Sequence, residues 1–180
     1  MKKIIWVYGI IAGLIMGAMF FITAPLWTNG TINFDNGMWV GYTTMVIALS
    51  LVFFGIKSYR DQHKQGTIRF GGAFKVGILI TVIASVLYAL SLEVAYRTVS
   101  KGFTEIMSNY YLEQIKAESK DEAELNKATA EFKSNMMMYE NPIIRFALTL
   151  TEVFPIGLII TLVSAGLLRK KEFLPDKQSV

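Results

Sequence analysis

NPIIRFALTLTEVFPIGLIITLVSAGLLRKK, residues 141–171, decides the fold, because counting it as a membrane span makes the number of spans even. Its apolar run from Ile143 to Leu168 is long enough to cross a bilayer, yet it holds Arg145, Glu152 and Pro155. Three further stretches qualify more simply. Ile4 to Ala24 is 21 residues without a charge, which at helical rise spans roughly 31 Å against a hydrocarbon core of about 30 Å. Met38 to Ile56 is also uncharged, and Val76 to Leu92 continues through Glu93 to Tyr96. The expected fold is therefore all-α and integral to the membrane, with four transmembrane helices over 4–24, 38–56, 76–96 and 143–168. The whole chain forms one membrane domain.

Composition agrees. The 180 residues are 53% hydrophobic and 18% charged, with mean hydropathy +0.42, where a soluble domain carries about a quarter charged residues. The absence of cysteine excludes disulfides, thiolate metal sites and cysteine nucleophiles. With His63 as the one histidine, a zinc site would need mostly carboxylates, so no metal and no cofactor is expected. The leading Met-Lys-Lys resembles a signal peptide. The apolar run is too long for that reading and Ile22-Thr23-Ala24 is a poor cleavage site, so the first span is read as a retained anchor.

The net charge of +4 is spread around the spans and forms no single stripe, which points to lipid and not to nucleic acid. Lys2, Lys3, five basic residues in 57–75 and four from Arg169 onward place 11 of the 18 Lys and Arg on one side. Segment 93–142 has six basic and nine acidic residues. By the positive-inside rule both termini are cytoplasmic.

Between the third and fourth spans, 97–141 is long enough to hold structure outside the membrane. Phe103, Ile106, Met107, Tyr110, Tyr111 and Ile115 recur at helical spacing, and Leu125, Ala128, Phe132 and Met136 do so after a break. Ser119 to Glu122 fits a capping box opening the second helix, and Asn141-Pro142 ends it. An external helical hairpin is expected, with its two apolar stripes packed on each other and available to an apolar ligand or partner as the sharper alternative. In the first external loop, Asn29-Gly30 and Asn36-Gly37 are turn signals, and the Asn29-Gly30-Thr31 glycosylation match is weighed as chance.

Two features concern packing and lipid. Gly9, Gly13 and Gly17 repeat G-x-x-x-G on one face of the first span, which allows close approach of a neighbouring helix; Gly41, Ala48 and Gly55 mark a small face on the second. At the re-entry GTIRFGGAFKVG, Phe70 and Phe74 belong in the headgroup layer, with Arg69 and Lys75 at lipid phosphates. Gly71-Gly72 lacks the strand and Walker pattern of a nucleotide loop.

The intramembrane polar residues are the candidate site: Glu93, Arg97, Arg145, Glu152 and Pro155. Glu93 and Arg97 are four apart, a natural ion pair. If the third and fourth spans are antiparallel neighbours, Arg145 lies at similar depth and can reach outward to the interface. Glu152 is about ten residues in from Pro142, roughly 15 Å deep. A carboxylate there is costly in lipid, so it is expected to face the bundle interior. Pro155 frees the Thr151 carbonyl one turn away. Two readings stand side by side: a proton or cation site of the kind built from broken helices, or a buried group that fixes helix register through a hydroxyl such as Tyr88. No nucleophile and base are placed together in the spans, so no catalysis is expected.

The runs GIKSYRD (55–61), GTIRFGGAFKVG (66–77) and NPIIRF…EVFPIGLI (141–159), with WVYGIIAGLIMGAMF at the start, resemble the bacterial family called domain of unknown function 4199 over nearly the whole chain. The resemblance implies a small protein of a Gram-negative inner membrane with no assigned activity. It also implies that Arg60, Gly71, Phe74, Glu93, Asn141, Pro142, Glu152 and Pro155 belong to the family's pattern. Together these readings favour a non-enzymatic interaction, accessory or scaffold subunit, working through the external hairpin as a homo-oligomer or with another membrane protein. The alternative is a small oligomeric ion- or proton-coupled transporter or channel that uses Glu152.

Overall fold

The computed structural model describes residues 1–28, 31–32, 34–98, 100–170 and 173–174. Among these, all regular structure is helical: α1 (Lys2–Thr28), α2 (Phe34–Leu49), α3 (Leu51–His63), α4 (Phe70–Thr98), α5 (Ser100–Glu118), α6 (Glu122–Glu140) and α7 (Pro142–Leu168). Four stretches are long and apolar enough to cross a membrane, namely α1, the α2–α3 pair, α4 and α7. Each span runs past the apolar run that announced it, and the added turns take in Lys2, Lys3, His63 and Arg97.

The second span is interrupted at Ser50. Its hydroxyl donates to the Ile47 carbonyl at 2.6 Å, and its own carbonyl accepts from the Phe53 amide at 3.0 Å, a locally tightened turn. Asn36-Gly37 is not a turn as the sequence suggested but lies in the first turn of α2. Asn29-Gly30 lies outside the described residues. The hairpin's second helix is capped by Asp121 and not by Ser119: Asp121 accepts from the Glu124 amide at 2.8 Å, and Glu124 reaches back to the Lys120 amide at 3.0 Å. The box exists two residues later because Ser119 spends its hydroxyl on the Ile115 carbonyl, closing α5.

Helix α4 is central, with α1 parallel to it on one side and α7 antiparallel on the other. The glycine face of α1 makes the first contact. A Cβ on Gly9 would lie 2.8 Å from Ile83, one on Gly13 2.9 Å from the Ala84 carbonyl oxygen, and one on Gly17 2.5 Å from the Ser91 hydroxyl. The α4–α7 contact is built the same way: a Cβ on Gly77 would stand 2.7 Å from Thr161, and Gly157 packs directly against Thr81. The two threonine hydroxyls meet at 3.1 Å. Small residues let the backbones approach, so dispersion holds the helices together where lipid supplies no hydrophobic drive. Ala48 is fully buried and Gly55 packs on Ile80 and Tyr8, whereas Gly41 meets nothing within 4 Å. The outer faces are apolar and open, with Trp39, Ile47, Ile22 and Ile159 all more than 60% exposed. That inverted pattern suits a hydrocarbon solvent.

Candidate functional site: an arginine clasp and a separate carboxyl

Of the five candidate positions, four polar residues and a proline, the fold gathers Glu93, Arg97 and Arg145 and leaves Glu152 and Pro155 apart. Glu93 ends the apolar part of α4, and Arg145 stands one turn into α7, which Asn141 opens by accepting from the Ile143 amide at 2.9 Å. Antiparallel packing brings the two to the same level. Arg145 is 3% exposed and uses its whole guanidinium. Nε donates to Glu93 Oε2 at 2.9 Å, while Nη2 donates to both Glu93 oxygens at 2.7 Å. Nη1 donates to the Tyr139 and Glu140 carbonyls at 2.9 and 3.3 Å. Those carbonyls are the last of α6 and have no helical partner of their own, so Arg145 caps α6 from outside and neutralises its negative end. The guanidinium also lies 3.6 Å from the Tyr96 ring centre, and Tyr96 meets the Tyr139 ring edge-on. Arg97 adds one bond to Glu93 at 3.2 Å from an exposed position. Arg145 therefore turns sideways into the protein instead of reaching out to the interface, and every donor is occupied. This is a closed joint between α4, α6 and α7, not a vacant binding site.

Glu152 is a different case. The sequence led us to expect it inside the bundle; the structure leaves its side chain exposed, beside exposed Thr151 and Pro155. The reason is the width of the buried stripe. Arg145, Thr149, Val153 and Gly157 carry the α4-facing row, and Glu152 falls on its edge. Among the described residues it has no hydrogen bond or ion pair, although it stands close enough to Tyr88 and Tyr139 to interact with both electrostatically. Tyr88 lines a cavity of about 110 Å³ with Met16, Met45, Thr44 and Trp27, between α1, α2 and α4. Burial pushes the Tyr139 phenol above its ordinary range; Arg145 works against that shift and Glu152 works with it.

The headgroup pair proposed from sequence is also divided. Arg69 lines a cavity of about 530 Å³ together with Lys64 and Arg169, while Lys75 stands exposed on α4 outside it. Sequence reasoning gave no role to Tyr96 and Tyr139, whose signal was the spacing of three from Glu93 and the position just before the Asn141-Pro142 break. Nor did it foresee that Arg60 is fully buried, donating to Asp61 Oδ1 at 2.7 Å and to the Phe173 and Leu174 carbonyls at 2.9 and 2.5 Å. Among the described residues no three His, Asp or Glu side chains converge as a metal-ligand set.

Four helices long and apolar enough to cross a membrane, around a small-residue core and with a paired-helix extension locked to them by a buried arginine, are the architecture of a multi-span membrane protein. The chain belongs to the family described as Protein of unknown function (DUF4199), which it matches over residues 7–170. No curated protein and no solved structure matches it.

Proposed function

We propose that this is a non-enzymatic multi-pass protein of the bacterial inner membrane, with both termini cytoplasmic, acting as an interaction or accessory subunit. Its contact surface is the α5–α6 hairpin on the external side. One observation carries the reading: α6, 19 residues and therefore about 28 Å long, has no buried residue at all. Its stripe of Leu125, Ala128, Phe132 and Met136 is only half covered by α5, and Met137 and Met138 are 66% and 50% exposed. Tyr111 and Phe132 meet across the hairpin with ring centres 6.0 Å apart, and Tyr111 remains 44% exposed. Methionine and tyrosine are the residues that adapt to a protein partner. The clasp at Arg145 supports the same reading, since it holds the base of α6 rigidly against the spans.

The test is a photo-crosslinking residue at Met137, compared with one at lipid-facing Ile159, in intact membranes. A defined protein adduct at Met137 alone supports the proposal. Adducts only with lipid or with the chain's own hairpin remove its main support.

A second reading rests on Glu152, a carboxyl without a hydrogen bond or ion pair among the described residues and near enough to Tyr88 to interact with it electrostatically: an oligomeric proton- or cation-coupled transporter or channel. Four spans are few for one path, so a strict monomer weighs against it. Equal fluxes from wild type and Glu152→Gln in vesicles would take Glu152 out of any such mechanism.

A further inference from the structure

We infer that the cavity between the ends of α3, α4 and α7 binds a phosphate-bearing anion, with Lys64, Arg69 and Arg169 as its cationic wall. The cavity, about 530 Å³, is lined by these three residues with Thr67, Ile68 and Gly72, and among the described residues no carboxylate takes part in the lining. Among the described residues none of the three cations is in an ion pair, although the neighbouring Lys57 and Arg60 both hold Asp61. Charges of one sign converging on a cavity without a counter-charge raise the local concentration of anions.

The backbone contributes in the same sense. The first intrahelical bond of α4 runs from the Ala73 amide to the Arg69 carbonyl at 3.0 Å. Arg69 thus stands at the cap position without an oxygen to offer, and the amides of Phe70, Gly71 and Gly72 are left for a ligand. The connection that carries Lys64 and Arg69 is fixed before any ligand arrives. Gln65 and Gly66 take positive φ of 50° and 75°, the Gly66 amide donates to the Arg60 carbonyl at 3.3 Å, the Thr67 amide donates to Lys64 at 3.0 Å, and Ile68 is buried. Three amides at a helix start and two guanidinium forks suit the tetrahedral oxygens of a phosphate. Its place at the end of four apolar helices makes an anionic phospholipid headgroup one source of that phosphate, and a free phosphate compound the other.

The experiment uses the full chain purified in a neutral detergent, with native mass spectrometry as the readout of retained lipid. Mixed micelles contain either phosphatidylglycerol or phosphatidylcholine, and inorganic phosphate is titrated separately. Arg69→Gln/Arg169→Gln is compared with Lys2→Gln/Lys3→Gln, which removes the same charge from the same end of the bundle outside the cavity. Wild type is expected to retain phosphatidylglycerol over phosphatidylcholine, with retention falling about tenfold in the arginine pair and holding in the lysine pair. If inorganic phosphate displaces the lipid or binds alone, a soluble phosphate compound is the ligand; if it does neither, the headgroup is. Equal retention by wild type and the arginine variant, with no phosphate binding, overturns the inference. So does an equal fall in both variants, which would reduce the effect to net charge. Both arginines are exposed, and an unchanged melting midpoint confirms that the variants fold.

Discussion

Arg145 holds Glu93 through three charge-assisted hydrogen bonds of 2.7 to 2.9 Å across 52 positions of sequence, while its remaining nitrogen closes the end of α6. One side chain thus fixes three helices, and its value lies in the geometry of the guanidinium fork. Lysine cannot reproduce that geometry, because an ammonium has one nitrogen to share between a carboxylate and two carbonyls. We expect Arg145→Lys to cost about 3 kcal/mol, the usual result of breaking a buried pair, seen as a fall of roughly 5–10 °C in the detergent melting midpoint. A double-mutant cycle with Glu93→Gln should return a coupling of about 2 kcal/mol. Additive effects would mean that Arg145 works through the α6 carbonyls and Tyr96 alone.

The glycine face of α1 gives a matched pair of substitutions. A Cβ on Gly13 would meet the Ala84 carbonyl oxygen at 2.9 Å and Leu87 Cβ at 2.7 Å, and the carbonyl is backbone that cannot rotate away. The two helices must then move apart, so Gly13→Ala is expected to cost about 1–3 kcal/mol, the range for overpacking. Gly41 also lies in a helix but has nothing within 4 Å. There the added methyl only restricts the unfolded chain, and Gly41→Ala should be neutral or stabilising by up to about 1 kcal/mol. Thermal midpoints of the two variants, read side by side, check the sign of each.

Arg60 makes a third prediction. Its guanidinium is fully buried and bonded to the Phe173 and Leu174 carbonyls, and the Phe173 ring meets Phe53 at 6.3 Å. Phe173 and Leu174 are therefore pinned to α3 by a cation whose counter-charge among the described residues is Asp61, which is shared with Lys57. Arg60→Met keeps the bulk but removes the donors. It should release the segment, and limited proteolysis should cut after Arg169 about tenfold faster than in wild type, following the opening equilibrium. An unchanged cleavage rate would mean that Phe173 packing holds the segment without Arg60.

Much of this was legible in the sequence for one physical reason: lipid demands long uncharged runs, and such runs are hard to mistake. The four spans, the glycine face and the shared depth of Glu93 and Arg145 followed from length, spacing and antiparallel return. The finer choices depended on side chains competing for partners. Ser119 was a plausible cap until its hydroxyl turned back to Ile115, which left the role to Asp121. Asn36-Gly37 carries a turn signal, yet it lies inside α2, where Gly37 packs against Trp27. The burial of Arg60 could not be foreseen, since two of its three partners are backbone carbonyls more than 110 positions away. Glu152 was misplaced because helical periodicity locates a face only to within one residue, and buried Val153 is its immediate neighbour.

That displacement changes what removal of the Glu152 carboxyl should do. Had it been a buried register-fixing group, its loss would strand hydrogen-bond partners and lower stability by about 1–3 kcal/mol. In the structure it is exposed, with no hydrogen bond among the described residues, and Tyr88 and Tyr139 are near enough to feel its charge. At this depth in a bilayer a carboxyl without a partner opposes the fold, since its solvation costs about 2.5 kcal/mol or more when it is ionised and faces lipid. We therefore expect Glu152→Leu to melt at or above the wild-type midpoint in lipid nanodiscs near neutral pH, and Glu152→Gln to fall between the two. Tyr88→Phe should leave that order unchanged, because no hydrogen bond joins the pair. A drop of several degrees in the leucine variant would mean that the carboxyl is covered and bonded in the membrane, and the site would return to a structural role. A rise would mean that the residue is kept at the expense of stability. Flux measurements on Glu152→Gln would then separate a coupling site from a contact used only in assembly.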